Sequence, residues 1–292
     1  MQKLSPFEVS EICDELGEPH PKNIEQVYGG DIHSAWKIEF ANKKLFLKRN
    51  DRNKNFLEFE KYCLQNLRKH SNQKNLIIPE VIAFKNFKKV EILVMEWIDM
   101  QNFDQKNLGK GLGEMHLNSR ETNPKNFGYP IDGFIGLTDQ KKGWENNWID
   151  CFLNLRIIPQ LSILKSNFLD KETLDKVKEK IRSELLNHKP INTLIHGDLW
   201  SGNAGIHKSG KGVIFDPASW WADNEVDIAM TKLFGGFRKE FYEEYHRIFP
   251  IKNGFEKRII IYNFYHILNH ANMFGGGYLK QVKDYVKAIL NM

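Results

Sequence analysis

Asp198, Asn203 and Asp216 are the residues of this 292-residue chain best suited to chemistry. Two short segments hold them, His196-Gly197-Asp198-Leu199-Trp200-Ser201-Gly202-Asn203 and Ile214-Phe215-Asp216, each entered from an apolar run. An acid, an amide and a second acid can turn only oxygen ligands and acceptors toward one small polar site. Mg²⁺ favours such oxygens, commonly one or two carboxylates completed by phosphates and water. Asn203 and Asp216 could hold that ion and leave Asp198 free as a general base toward a hydroxyl. The set therefore suits a magnesium nucleotide and a hydroxyl nucleophile. Gly197 and Gly202 let the loop turn where a side chain would clash. His-Gly-Asp or Ser-Gly-Asn alone is ordinary turn chemistry; their combination with the downstream acid carries the reading.

Asp198 and Asn203 stand five residues apart, the spacing of Asp and Asn in the protein-kinase catalytic loop. There the Asp accepts the proton of the attacking hydroxyl and the Asn holds a metal ion. Phosphoryl transfer is mostly positioning and charge neutralisation, so further parts are expected. Gly29-Gly30 falls where a turn between the first two strands would bring backbone to the phosphates. Lys48, at the end of a third strand, could touch them. Glu58 and Glu60 could each pair with Lys48 from the next helix; two residues apart, they face different sides, and Glu60 is preferred. Met95-Glu96-Trp97-Ile98 suits the extended segment that would bind adenine through backbone groups and apolar side chains. Singly, each has a plain alternative: a hairpin turn, a solvated lysine, a buried strand end. No GxxxxGK[ST] and no GxSxG occurs. His266 and His270, four apart, read as core or site-lining rather than as a metal pair.

These residues need a scaffold, and the patterning supplies one. Residues 5–16 read as a short amphipathic helix. Strands are expected near 24–28, 34–40, 44–48, 77–84 and 90–97, with a helix over 55–68 whose apolar residues recur at helical spacing. Beyond Ile98 the pattern is mostly helical, over 106–118, 147–164, 171–187, 225–233, 238–248, 255–273 and 278–290, with one short strand at 213–215. The expectation is an α+β, bilobal, protein-kinase-like fold. A small antiparallel β-sheet lobe for the nucleotide covers 1–98, and a larger, mainly helical lobe with the catalytic loop, metal site and acceptor region covers 99–292.

Bulk composition excludes little and agrees with this. With 42 basic and 37 acidic residues the net charge is +5. The charges are scattered as on a solvated surface rather than a nucleic-acid stripe. Three distant cysteines lack metal spacing and read as reduced thiols. No signal-peptide core is evident, and the longest apolar stretch is too short to span a bilayer. A cytoplasmic monomer that binds neither nucleic acid nor membrane is expected.

The motifs together resemble the fructosamine kinase (ketosamine-3-kinase) family, within a wider likeness to aminoglycoside phosphotransferases and choline kinases. The likeness rests on His196 to Asn203, Phe215-Asp216-Pro217-Ala218, Asp227-Ile228-Ala229 and Leu233 to Phe237. Asp132 to Gln140 is similar to that family's D-N-[FY]-I-G-x-T-P-Q. Trp144, Trp148, Phe152, Arg156, Pro159 and Gln160 follow its next pattern, and Gly254 to Arg258 and Tyr265 to His270 match near the C-terminus. The resemblance implies ATP- and Mg²⁺-dependent phosphorylation of the 3-hydroxyl of a ketosamine, such as a ribulosamine, erythrulosamine or fructosamine. The acceptor would be a small molecule or a glycated protein lysine, and the outcome deglycation.

By position, Asp198 would be the base, and Asn203 and Asp216 the Mg²⁺ ligands. Lys48 would contact phosphates with Glu60 as its partner, while His196 and Asp227 would be structural, Asp227 bracing the loop. Trp200, Trp220 and Trp221 are either an aromatic platform for the sugar or core packing, and Asp132 is a candidate acceptor residue. Gly133, Asp139, Lys141, Lys142 and Asn154-Leu155 depart from the family pattern, in the segment expected to shape the acceptor pocket. Asp31 stands where some members carry a cysteine. Rival readings are a kinase of the same fold acting on an aminoglycoside or amino alcohol, and a nucleotide-binding protein without catalysis.

Overall fold

The computed structural model describes residues 4–28, 33–87, 89–101, 104–164 and 168–292. Helix α1 (Pro6–Leu16) begins at a reciprocal cap: the Ser5 hydroxyl accepts from the Glu8 N–H, and the Glu8 carboxylate accepts from the Ser5 N–H. Both orphan donors are met at once. The helix stops at Gly17 in the left-handed region, φ 62°. Strands β1 (Asn23–Val27), β2 (Ser34–Glu39) and β3 (Lys44–Asn50) follow, then α2 (Phe56–His70), β4 (Leu76–Ile77), β5 (Val81–Phe87) and β6 (Val90–Glu96). Five of these strands form an antiparallel sheet in the order β1-β2-β3-β6-β5.

Alternation along these strands decides what each face does. Leu45 and Leu47 of β3, with Ile92 and Val94 of β6, pack with Val9 and Ile12 of α1 in one apolar cluster. Leu93 and Met95 of β6 belong to a second cluster with Leu57, Phe59 and Leu64 of α2. Lys48 lies between Leu47 and Arg49 and is therefore aimed at the α2 side.

The rest of the chain runs α3 (Lys106–Ser119), β7 (Phe127–Tyr129), β8 (Gly133–Ile135), β9 (Thr138–Gln140), β10 (Gly143–Glu145) and α4 (Trp148–Phe152). A π-helical turn over Leu153–Ile157 then leads into α5 (Ile158–Ile163), followed by α6 (Lys171–Leu185), β11 (Asn192–Ile195), β12 (Ala204–Ile206), β13 (Gly212–Ile214) and β14 (Trp220–Asp223). The chain closes with α7 (Glu225–Leu233), α8 (Lys239–Ile248), α9 (Phe255–Phe274) and α10 (Gly277–Leu290). Short strands form a β10-β7-β14-β11 sheet, a β12-β13-β4 sheet and a β8-β9 hairpin.

The fold is the expected α+β kinase-like one, with three departures. The strand expected at 77–84 is two: a proline cannot continue a ladder, and β4 ends before Pro79 while β5 begins after it. β4 pairs in parallel with β13, joining Leu76 to Gly212 and Ile77 to Val213. The stretches 123–143 and 192–223 hold strands of three or four residues, too short for a period to show. The helix expected over 147–164 is broken by the π-turn. Among the described residues no helix is long and apolar enough to cross a membrane. All three cysteines are buried free thiols.

Candidate active site

The second face of β3 and the inner face of α2 bring two opposite charges together. Lys48 Nζ donates to both Glu60 oxygens, at 2.8 and 3.0 Å, and directly contacts Asp216 Oδ1. Glu58 points to solvent, so Glu60 is the lysine's partner. Burial works against the Lys48 charge, but Asp216 and Glu60 outweigh it and hold its pKa above the usual lysine range. Glu60 is pushed up to about 7, by burial first and then by the Asp216 charge, against the pull of Lys48.

The loop from His196 to Asn203 leaves β11 and is braced from below. The buried Asp227 of α7 accepts from the backbone N–H of His196 at 2.7 Å and of Gly197 at 2.8 Å. His116 of α3 also reaches Asp227, Nε2 to Oδ2 at 3.2 Å, while its Nδ1 meets the Tyr245 hydroxyl at 2.9 Å. The ionised Asp227 carboxylate can only accept, so His116 Nε2 is the donor in that contact. His196 bonds the Phe215 carbonyl through Nε2 at 2.9 Å, tying the loop to the Asp216 segment. Gly197 has φ 84°, and a Cβ there would lie 2.1 Å from the Ala218 oxygen. Gly202 is needed for a different reason: its missing Cβ makes room for the Trp200 ring.

Asp198 and Asn203 meet at the loop's mouth. Asn203 Nδ2 donates to the Asp198 carbonyl at 2.9 Å and to its carboxylate at 3.2 Å, which turns the amide oxygen to the free side. Asp198 is pushed up to about 7, by burial first and then by Asp216, against the stabilising Asn203 N–H. Asp216 sits at φ 57°, a left-handed backbone rare for a residue with a side chain. Its side chain is still 39% exposed. Two carboxylates, Glu60 and Asp216, thus flank one lysine, and a third, Asp198, lies within the field of Asp216. That surplus of negative charge, with only oxygen donors at Asn203 and Asp216, fits a hard divalent cation.

The fructosamine kinase family model matches residues 8–292. The chain belongs to the fructosamine kinase family. It is accordingly a phosphotransferase. A Vibrio vulnificus protein named probable ketoamine kinase is 36% identical over 274 residues, covering 92% of this chain and 93% of the relative. A Synechocystis protein of the same name is 34% identical, covering 97% and 95%. The crystal structure of a Haemophilus somnus protein described as a fructosamine-3-kinase superposes with a TM-score of 0.84 at 25% identity, covering 97% and 96%. An aminoglycoside phosphotransferase solved with ADP and hygromycin B shares the fold at a TM-score of 0.63 and 13% identity, covering 97% of both chains.

Other expected site residues of this family member fall in mixed positions. Gly29 and Gly30 lie outside the described residues. Met95 is buried in the core, and the N–H groups of Glu96 and Trp97 are already used by the Glu80 and Lys44 carbonyls. The Glu96 carboxylate accepts from the Glu80 N–H and the Trp97 indole donates to Asp99. In that segment the Ile98 N–H makes no hydrogen bond among the described residues. The three tryptophans are not one platform, because neighbours on β14 point to opposite faces. Trp220 is wholly buried and stacks on Trp148 with centroids 5.6 Å apart. Trp221 packs by His70 on the other face. Trp200, at 36% exposure, alone offers an open ring beside the loop.

Asp132 accepts from the Lys142 N–H and lines a cleft of about 820 Å³ between α2 and the β8-β9 hairpin. Glu58 and Tyr62 line that cleft too, on the helix face opposite Glu60. Two departures from the family pattern are contacts of that hairpin with α2 and the turn before it. Gly133 lies where a Cβ would strike the Phe59 ring, and Asp139 pairs with Lys54 at 2.6 Å. His270 Nδ1 donates to the His266 carbonyl, and His266 is buried in the core with its pKa lowered to about 3 by burial, then by His270.

Sequence reasoning missed His116, Glu91 and the buried cluster His188, Asp223 and Glu225. No motif signals them, since each acts on a residue far away in the chain. The last cluster has metal-like composition, but Tyr262 and His188 already occupy Asp223, and Arg258 holds both Glu225 oxygens.

Proposed function

We propose that this phosphotransferase is an ATP- and Mg²⁺-dependent kinase acting on the 3-hydroxyl of a ketosamine, and so reverses glycation. The observation that carries this is the meeting of Lys48, Glu60, Asp216 and the Asp198–Asn203 loop, from four separate segments, at one mouth. The names of the relatives, ketoamine and fructosamine kinases, support the acceptor class. The reading includes a nucleotide lobe at 1–98 and a catalytic and acceptor lobe at 99–292. It also includes action as a cytoplasmic monomer without nucleic acid or membrane.

Asp198 is the general base. A carboxylate with a pKa near neutrality matches the operating pH and so serves well in proton transfer. It takes the proton as the hydroxyl oxygen bonds to the terminal phosphorus and the bond to ADP breaks. Asn203 orients the Asp198 carboxylate through its N–H. Lys48, fixed by Glu60, would hold the phosphates, and the backbone N–H of Ile98 would meet the adenine edge. Asn203 and Asp216 would hold Mg²⁺, which neutralises the developing phosphate charge when bound. Trp200 offers the open aromatic face beside the acceptor.

The test is ATP consumption with ribulosamine, erythrulosamine and fructosamine adducts, free and protein-bound, against aminoglycosides and amino alcohols. Turnover of a ketosamine is expected. Turnover confined to an aminoglycoside or amino alcohol would replace the acceptor, and turnover of none would overturn the assignment.

A further inference from the structure

Helix α2 carries Glu60, yet its own first residues do not cap it. Asn55, at the cap position, makes no side-chain bond to the helix. The free amides of the first turn meet Glu91 instead, a carboxylate on β6 that is 3% exposed. Glu91 Oε2 accepts from the Leu57 N–H at 3.1 Å and Oε1 from the Glu58 N–H at 3.2 Å. Oε2 also accepts from Asn50 Nδ2 at 2.8 Å, and the same amide group donates to the Lys54 carbonyl at 2.7 Å. Asn50 is the cross-strand partner of Glu91 and stands two residues beyond Lys48.

A carboxylate at a helix start satisfies orphan N–H groups and complements the helix dipole. A cap from the preceding loop would do this and leave the helix free to shift against the sheet. A cap from β6 also fixes where the helix begins relative to β3. Glu60 follows Glu58 within the same turn, so little slack separates the clamp from the Lys48 contact.

We propose that Glu91 is a positioning residue for phosphoryl transfer: it anchors the first turn of α2 to the sheet and thereby seats Glu60 against Lys48. Its effect on nucleotide binding rests on the kinase reading above; its effect on Lys48 does not.

The experiment compares wild type, Glu91→Ala, Glu91→Gln and the double variant Glu91→Ala/Asn55→Asp, which supplies a strong local cap. Three quantities are read: melting temperature, the rate of trace acetylation of Lys48 by mass spectrometry, and affinity for a fluorescent ATP analogue with Mg²⁺. Glu91→Ala should melt about 2–4 °C lower, acetylate at Lys48 about fivefold faster, and bind nucleotide about tenfold more weakly. Glu91→Gln keeps one acceptor and should fall between. The double variant should regain melting temperature but neither the Lys48 protection nor the affinity, because a local cap does not reach β6. Restoration of all three would make the role merely structural and overturn the proposal. So would Lys48 acetylation within twofold of wild type in Glu91→Ala, or in Glu91→Gln should the alanine variant not fold. If wild type binds no nucleotide, the kinase reading falls while Lys48 acetylation still decides on Glu91.

Discussion

At the scale of single residues, Asp198 is held where its charge is disfavoured. Its pKa near 7 lies well above the ordinary aspartate value, so the folded state binds the proton more tightly than the unfolded chain. Full stability from this group is therefore present below about pH 4 and is lost as pH rises through 7, by up to about 4 kcal/mol. Asp198→Asn removes that penalty. In EDTA without nucleotide, the variant should resist urea better than wild type at pH 8 and equally at pH 4. Equal stability at both pH values would show that the carboxylate carries no such strain. The same variant should lose phosphoryl transfer by about a thousandfold or more while keeping nucleotide affinity, since a base acts only in the transition state. Turnover near wild type would remove Asp198 from that role. Gly197→Ala should cost at least about 2 kcal/mol, because φ and the Ala218 oxygen both exclude a Cβ. An unchanged urea midpoint would show that the turn relaxes.

At the scale of elements, caps and clamps decide how well the site is held. Ser5→Ala removes one half of the reciprocal cap of α1 and should cost about 1 kcal/mol. Glu8, the other half, also accepts from Arg49 at 2.8 Å, beside Lys48, so a modest fall in nucleotide affinity should accompany the lower urea midpoint. Affinity unchanged at that midpoint would confine α1 to stability. Much of this level is legible in a single sequence. The apolar period of α2 and the alternation of β3 place Lys48 and Glu60 on facing surfaces, and glycines mark the catalytic turn. What escapes is whatever one element does for another. Glu91 sits in an apolar run and gives no local sign that it caps a helix more than thirty residues upstream. Trp220 and Trp221 look like a pair until strand alternation sends them apart. Pro79 signals a break without telling that β4 turns away to a strand far along the chain.

At the scale of the whole molecule, the two halves of the chain are not independent. β4 pairs with β13, and the cluster behind α2 runs on through Leu108, Ile214, Ala229 and Ile261. Heating should give one cooperative transition by calorimetry; two separated transitions would show lobes that melt alone. A ligand that binds only the folded state adds stability by mass action, about 2.7 kcal/mol at a hundredfold excess over Kd. Mg²⁺ with ATP should therefore raise that transition by several degrees in wild type, and neither in EDTA nor in Asp216→Ala. An equal rise in Asp216→Ala would place the metal elsewhere. The three cysteines add a consequence of another kind. Burial raises the pKa of Cys13, and pushes Cys63 and Cys151 up to about 12, so the folded protein presents almost no reactive thiolate. One thiol lies in α1, one in α2 and one in α4. Alkylation of each can occur only when its own region opens. The chain thus carries three buried reporters in separate helices, from which the order of unravelling can be read by mapping which thiol is alkylated first.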